Sequence, residues 1–324
     1  MFRAGRWIAS ILVIGWASLA IFYSNLPWPA AARAVFAAAF AVFGCWALLI
    51  NRRRGALRAF AAAFLGVVIW WNTIRPSADR EWRADVAVMP RAVIDGDRVT
   101  ITGVRNFHYR DVNDFDPRYE TRELSLSSVT GVDFYVSYWM PGPIGHTFLS
   151  FDFKDAPPLS ISIEARPEAH EGYAPVASLF KQFELIYVVG DERDLVGVRT
   201  NYRHEDVYLY RIHTSQRGAR ELLLTYLRRI NELAQKPEFY HLLSNNCTIN
   251  IVRYSNQIAG QRTRFDIRHY LNGLIEGYLY DTDRLRTTLP LAEFRRRSNI
   301  NAAAQAADAH EDFPERIRAA VPGL

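Results

Sequence analysis

Three apolar stretches open the chain and fix what its first segment can be. They run roughly from Trp7 to Leu26, from Ala30 to Ile50 and from Ala56 to Ile74. Each approaches the ~20 residues that a helix needs to cross a bilayer core. Arg33 and Arg58 fall near stretch ends, where a long side chain can snorkel to the interface. A secretory signal peptide is the competing reading of the first stretch. Two further apolar stretches follow it, however, and no small-x-small cleavage site is evident. Asn25-Leu26-Pro27-Trp28-Pro29 reads as a tight connection with an interfacial tryptophan.

Arginine placement gives the expected orientation. Arg3 and Arg6 precede the first span, and Arg52, Arg53 and Arg54 lie between the second and third. The loop after the first span carries only Arg33. The positive-inside rule then puts the N-terminus and the triple-arginine loop in the cytoplasm, and everything after about residue 75 on the far side. For a bacterial inner membrane that side is the periplasm. A two-span protein with a cytoplasmic domain is the alternative. The formal charge of +5 hides a division: residues 1–74 hold seven arginines and no acidic residue, so the rest of the chain sums to −2. A nearly neutral soluble part argues against a nucleic-acid binder.

The following 250 residues alternate short strand patterns with helical ones late in the chain. Val93-Ile94 and Val99-Thr100-Ile101 flank Asp95-Gly96-Asp97, a hairpin signal. Strands are expected at 122–126, at 131–139, from His146 to Phe153, at 159–166, at 184–189 and at 207–212. A helix is expected over 214–235, opened by Thr214 or Ser215 and carrying Leu222, Leu223, Tyr226, Leu227 and Ile230. Residues 265–279 are mixed, and the segment after Pro290 is polar and alanine-rich. This is an α+β arrangement, a mostly antiparallel sheet with helices gathered C-terminally.

Cys247 is the candidate reactive group. Ser244-Asn245-Asn246-Cys247-Thr248 precedes the periodic run Ile249, Ile251, Val252, Tyr254, Ile258, which places the cysteine at a helix N-terminus with Asn245 or Asn246 as cap. That position favours the thiolate, the nucleophilic form. Cys45, the other cysteine, lies in an apolar stretch, so the two are not expected to pair. An unpaired thiol in an oxidising compartment is unusual, although a lone cysteine can also be a small core residue.

A thiol nucleophile needs a base, and the base an orienting group. Of the eight histidines, His146 follows the loop Pro141-Gly142-Pro143-Ile144-Gly145 and starts a strand. If the next turn centres near Ala156–Pro157, residues near 146 lie opposite 164–166, which makes Glu164 the candidate orienter. An exposed strand glutamate is the bland alternative, and Ser162 is the second candidate. His241 is close in sequence to Cys247 but lies in a loop with no evident orienter. Arg193-Asp194-Leu195-Val196-Gly197-Val198-Arg199-Thr200-Asn201-Tyr202-Arg203 could hold phosphate or carboxylate, or could be surface charge.

Four blocks in this order, Gly145–Phe151, Ile163–Arg166, Arg199–Tyr210 and Asn245–Thr248, resemble the Lnb-type N-terminal periplasmic domain family over roughly residues 125–265. The resemblance implies a permuted papain-like fold related to NlpC-type peptidases, with histidine before cysteine. It also implies lipoprotein N-acylation: an acyl chain moves from a phospholipid to a lipoprotein's N-terminal amine. Cys247 would be the nucleophile and His146 the base. Glu164 as orienter rests on the strand register. Asn246, Thr248, Arg199 and Asn201 are candidates for oxyanion or substrate positioning.

The expected organisation is three transmembrane helices over 1–75, a β-rich lead-in over 76–124, the papain-like catalytic domain over 125–290 and a polar tail over 291–324. The expected partners are a phospholipid acyl donor, a lipoprotein or other amine acceptor, and the membrane. No cofactor and no metal are expected, since neither a metal-ligand cluster nor a nucleotide loop is legible. A thiol hydrolase, either a phospholipase or a cell-wall amidase, is the rival enzyme reading. A membrane-tethered scaffold with a buried cysteine is the non-enzymatic one.

Overall fold

The computed structural model describes every residue except 1, 25–27, 261, 309, 320 and 324, with the backbone alone for 2–4. The three apolar stretches are helices: α1 (Phe2–Tyr23), α2 (Ala30–Cys45), which continues as a π-helical turn over Trp46–Asn51, and α3 (Arg54–Thr73). All three are long and apolar enough to cross a membrane. Of the expected connecting loop, residues 25–27 lie outside the described residues, and Trp28 rests against Phe36.

The soluble part is built on an eight-stranded sheet. Its strands are β1 (Arg91–Asp95), β2 (Arg98–Arg105), β5 (Tyr119–Ser125), β6 (Val129–Tyr138), β7 (His146–Phe153), β8 (Leu159–Arg166), β9 (Glu184–Asp191) and β10 (Asp206–Arg211). A separate two-stranded ribbon pairs β3 (His108–Tyr109) with β4 (Phe115–Asp116). The main path is β1-β2-β9-β8-β7-β6-β10, with β5 on β2. Every pairing is antiparallel except the short β2/β9 contact. The lead-in strands therefore extend the same sheet rather than forming a separate unit.

The helices are α4 (Glu192–Leu195), α5 (Gln216–Gln235), α6 (Cys247–Ala259), α7 (Ile275–Asp281), α8 (Leu291–Ser298), α9 (Asn301–Ala306) and α10 (Phe313–Arg318). α5 and α6 cover one sheet face, where Leu149, Phe151, Ile161 and Tyr187 meet Leu223, Tyr226 and Tyr254. Alternation along β7 sends Phe148 to the other face, into a second core with Tyr135, Ile300, Phe313 and Ile317. The segment read as a polar tail thus closes this second face. Its helices are short and are held by a few buried anchors, Phe313 and Ile317 of α10 in this second core and Phe294 of α8 in the first.

Strand direction defines which end of the sheet meets the anchor. Ser137 pairs with His146, Arg166 with Glu184 and Asp206 with Tyr138, so the end of β6, the start of β7, the end of β8 and the start of β9 share one edge. The membrane helices dock at that edge. Lys181 donates to the Trp71 and Ile74 carbonyls at the end of α3 (2.9 and 3.3 Å), and Tyr23 at the end of α1 stacks on Phe180. The linker is fastened there as well. Ser77 N–H donates to Glu184 at 3.0 Å, and Arg80 pairs with Glu168 and Glu184.

Candidate active site

Cys247 is the first residue of α6, and Asn246 is the cap: its side-chain oxygen accepts from the Ile249 N–H at 2.8 Å. The other half of the Asn246 amide donates to the Leu242 carbonyl, so both ends of this side chain serve the turn. Asn245 braces the same turn by donating to Glu238 and the Phe239 carbonyl. The thiol is buried, with 2% exposure, and Cys45 is the other free cysteine.

His146 opens β7, so its ring sits at the anchor-facing end of the sheet, where the N-terminus of α6 also arrives. The ring lies against Phe148. Burial pushes the Cys247 thiol up. The His146 charge opposes it, with hydrogen bonds from His146 and from the hydroxyl and N–H of Thr147, and the thiol ends at about 6 against an ordinary 9. A buried thiol without those partners would stay protonated at neutral pH.

The other side of the imidazole is fixed from β8. His146 Nε2 is 2.7 Å from Ser162 Oγ and 3.9 Å from Glu164 Oε1. Phe148 pairs with Ser162, which continues to His146 opposite Glu164, the register inferred from the turn. Glu164 lies behind Ser162: their side chains are hydrogen-bonded, and Arg199 donates to Glu164 at 2.8 Å. Burial raises the Glu164 carboxyl, but Arg199, then His146, and the Ser162 bond together hold it well below the usual carboxylate range. The geometry gives a chain Arg199–Glu164–Ser162–His146–Cys247, in which Ser162 makes the direct contact and Glu164 stands one step back.

Arg199 is buried in a π-helical turn, Val198–Tyr202, where its guanidinium also donates to Leu195 O at 2.6 Å and stacks over Phe148. It props up the chain behind His146 rather than facing an open site. Asn201, in the same turn, points elsewhere, with its amide donating to the Ala304 carbonyl and to Asp308 in the C-terminal helical layer. The other arginines of this patch also have internal partners, Arg193 with Asn106 and Arg203 with Asp85. Thr248 does reach the thiol: its Oγ1 is 3.7 Å from Sγ and 2.9 Å from Thr147 Oγ1. His241 spends Nδ1 on Ser244 Oγ (3.0 Å) inside its own loop.

Asn272 is a site residue that sequence reasoning missed. Its Nδ2 lies 3.7 Å from Cys247 Sγ, and its Oδ1 accepts from Gly145 N–H at 3.0 Å. Gly273 permits the approach. A Cβ there would fall 2.7 Å from the Pro143 carbonyl carbon, and the Gly273 N–H donates to the Pro143 carbonyl. The loop before His146 and the segment after α6 are thereby locked together over the sulfur.

No curated protein and no solved structure matches this chain. A family model does: that of the Lnb N-terminal periplasmic domain matches residues 115–273, a span that holds His146, Ser162, Glu164, Arg199, Cys247 and Asn272. Residues 115–273 are thus similar to an Lnb N-terminal periplasmic domain, in a chain that also carries three helices of membrane-spanning length.

Proposed function

We propose that the protein is a membrane-anchored periplasmic cysteine acyltransferase that moves an acyl chain from a phospholipid to the N-terminal amine of a lipoprotein. The observation that carries the reading is the buried Cys247 thiol at the N-terminus of α6, hydrogen-bonded to His146 at the sheet end that docks on the membrane helices. With three spans and a periplasmic soluble domain, the N-terminus lies in the cytoplasm. The order of histidine before cysteine, on a strand and a helix N-terminus, fits a permuted papain-like enzyme.

The chemistry runs in two halves. The Cys247 thiolate attacks the ester carbonyl carbon of the lipid. The oxyanion that forms is met by the N–H groups of Cys247 and Thr248, which lie ahead of the capped Ile249 N–H at the start of α6, and by Asn272 Nδ2. As the carbon–oxygen bond breaks, His146 gives its proton to the leaving alcohol. The lipoprotein amine then attacks the thioester carbonyl, His146 takes its proton, and the amide leaves with the thiolate restored. Ser162 and Glu164 hold the imidazole in place throughout.

Burial of the sulfur favours transfer over hydrolysis, because a site that excludes water protects an acyl-enzyme. The test is intact-mass analysis of protein incubated with phospholipid, wild type beside Cys247→Ala. A hydroxylamine-labile acyl adduct on the wild type alone supports the reading, and discharge of that adduct by a lipopeptide amine but not by water separates transferase from hydrolase. A wild type that forms no adduct while Cys247 stays inert to thiol reagents would return the chain to a tethered scaffold.

A further inference from the structure

The connection from β6 to β7, Trp139-Met140-Pro141-Gly142-Pro143-Ile144-Gly145, carries no charged residue, and its Trp139, Met140 and Ile144 are exposed. A surface loop bathed in water is ordinarily polar. Within the connection from β8 to β9, residues 172–180 are also free of charge, and Tyr173 and Val176 are exposed there. Leu243, in the turn before α6, and Leu274, just before α7, add two more exposed apolar side chains. All four segments lie at the sheet edge that meets the membrane helices. The first two are the connections at that edge. The Tyr240 N–H donates to the Phe183 carbonyl at 3.0 Å, which brings the turn before α6 there, and the Gly273 N–H donates to the Pro143 carbonyl at 2.9 Å, which brings Leu274. The same segments surround Cys247. Asn272 Nδ2 lies 3.7 Å from the sulfur, and the Leu242 carbonyl accepts from Asn246, the cap beside the cysteine. Burial, and then the Cys247 charge, raises the Tyr173 phenol.

We propose that this apolar rim is a second membrane contact, in which the four segments seat in the headgroup region of the leaflet where α1 and α3 end. The inference requires that α1–α3 span a bilayer, and it does not draw on acyl transfer. Continuity with those helices identifies the partner as lipid. Tyr23 and Trp71, at the ends of α1 and α3, are the residue types that gather at a membrane–water interface. Phe180 stacks on Tyr23 and Lys181 lies over Trp71, so the β8–β9 connection that carries Tyr173 and Val176 already stands at that interface. The β6–β7 connection is two strand spacings further along the same edge, about 10 Å. A flat lipid surface that touches one connection meets the other. Trp139 and Tyr173 suit the headgroup region, since each joins an apolar body to a polar tip. Pro141, Pro143 and Pro175 stiffen the two connections, so little order is lost on seating. Seated in this way, the ring of segments around Cys247 faces lipid and not bulk water.

Dye-labelled cysteines in the full-length protein test the contact. Met140→Cys, Leu274→Cys and Asp155→Cys are each made in a Cys45→Ala, Cys247→Ala background, labelled with a nitrobenzoxadiazole dye and placed in phosphatidylcholine nanodiscs. Asp155 is exposed in the β7–β8 turn, at the opposite end of the sheet. The Met140 and Leu274 labels should be quenched about twofold or more by lipid carrying a nitroxide near the top of its acyl chain, since interfacial side chains sit ~5–10 Å into the headgroup and acyl boundary. Iodide in the water should quench only the Asp155 label. Equal iodide access at all three positions, with no quenching by the nitroxide lipid, overturns the membrane contact and leaves the patch to a protein partner.

A second measurement uses the wild type, so that neither dye nor substitution can create the contact. Nanodiscs containing a phospholipid with a diazirine in its headgroup region are photolysed, and the labelled peptides are mapped. Adducts on residues 139–145 and 172–176, beside those on α1–α3, support the contact; adducts confined to α1–α3 overturn it. Neither readout involves turnover. A wild type that seats its rim and forms no acyl-enzyme would lose the transferase reading and keep this one.

Discussion

Replacing His146 by alanine should move the ionisation of Cys247 by more than any other single change in the site. Burial raises the thiol, and the drop from 9 to about 6 is what remains after His146 and Thr147 have overcome it. Three pKa units correspond to about 4 kcal/mol of preference for the thiolate. Without the imidazole the opposing desolvation stays, so the thiol should titrate at or above its ordinary value. At pH 7 the thiolate fraction then falls from about nine-tenths to about one per cent or less, near 100-fold. The assay is the pH dependence of iodoacetamide alkylation, read by intact mass in a Cys45→Ala background. The wild type should show a rate rising through an inflection near pH 6. His146→Ala should show no inflection below about pH 9 and should be about 100-fold slower at pH 7. An inflection that stays near 6 in His146→Ala would refute the argument, since the thiolate would then owe its stability to the helix terminus and Thr147. The sign for folding follows: a depressed thiol pKa contributes stability that is complete above the unfolded value and is lost as pH falls through about 6.

Other outcomes follow from the same geometry. Ser162→Ala removes the direct partner of Nε2, and kcat for the proposed acylation should fall about tenfold with little change in Tm. Glu164→Gln should instead cost about 2 kcal/mol in denaturant unfolding, because it removes the nearer of the two carboxylates beside the buried Arg199 guanidinium. The depressed carboxyl of Glu164 also contributes stability that is present above its unfolded pKa and is lost in acid; the wild type should lose more stability than Glu164→Gln as pH falls below the ordinary carboxylate range. Asn272→Ala, which removes the amide beside the sulfur, should reduce kcat about 100-fold if that amide meets the oxyanion; an unchanged kcat in folded protein would exclude it. Phe313→Ala should destabilise the soluble domain by about 3 kcal/mol in chemical unfolding, although it lies far along a segment that reads as polar.

The sequence made the strongly periodic parts legible. The two-residue alternation of Leu159–Arg166 and the hairpin signal at Asp95-Gly96-Asp97 mark strands directly, and both form. The register of β7 on β8 could be counted from the turn, which put Glu164 opposite His146. Counting did not show that Ser162 would take the short contact, because that depends on how the ring turns at the strand end. Asn272 had no local signal. It reaches the sulfur by a tertiary return that depends on a glycine-sized gap at Gly273. The C-terminal layer was obscured because α8, α9 and α10 are each too short to show a hydrophobic period, and their few anchors are diluted by alanine and charge. The arginine patch over 193–203 read as a possible ligand site. Its partners, however, are carboxylates and amides far away in sequence, which single-chain pattern reading does not see.

Lys181 carries a consequence of its own. It sits at φ +60°, where glycine is at ease and a lysine costs about 1 kcal/mol. Its ammonium reaches the last carbonyls of α3 and lies over the Trp71 ring. The backbone is therefore held in an uncomfortable shape to place one cation at a helix C-terminus, where positive charge is favoured. Lys181→Gly should relieve the strain and release the clasp together. The soluble fold would become no less stable, yet its height and tilt above the bilayer would loosen. Selection for thermal stability alone would tend to accept that change, and the proposed acyltransferase would lose its fixed distance to a donor in the membrane plane.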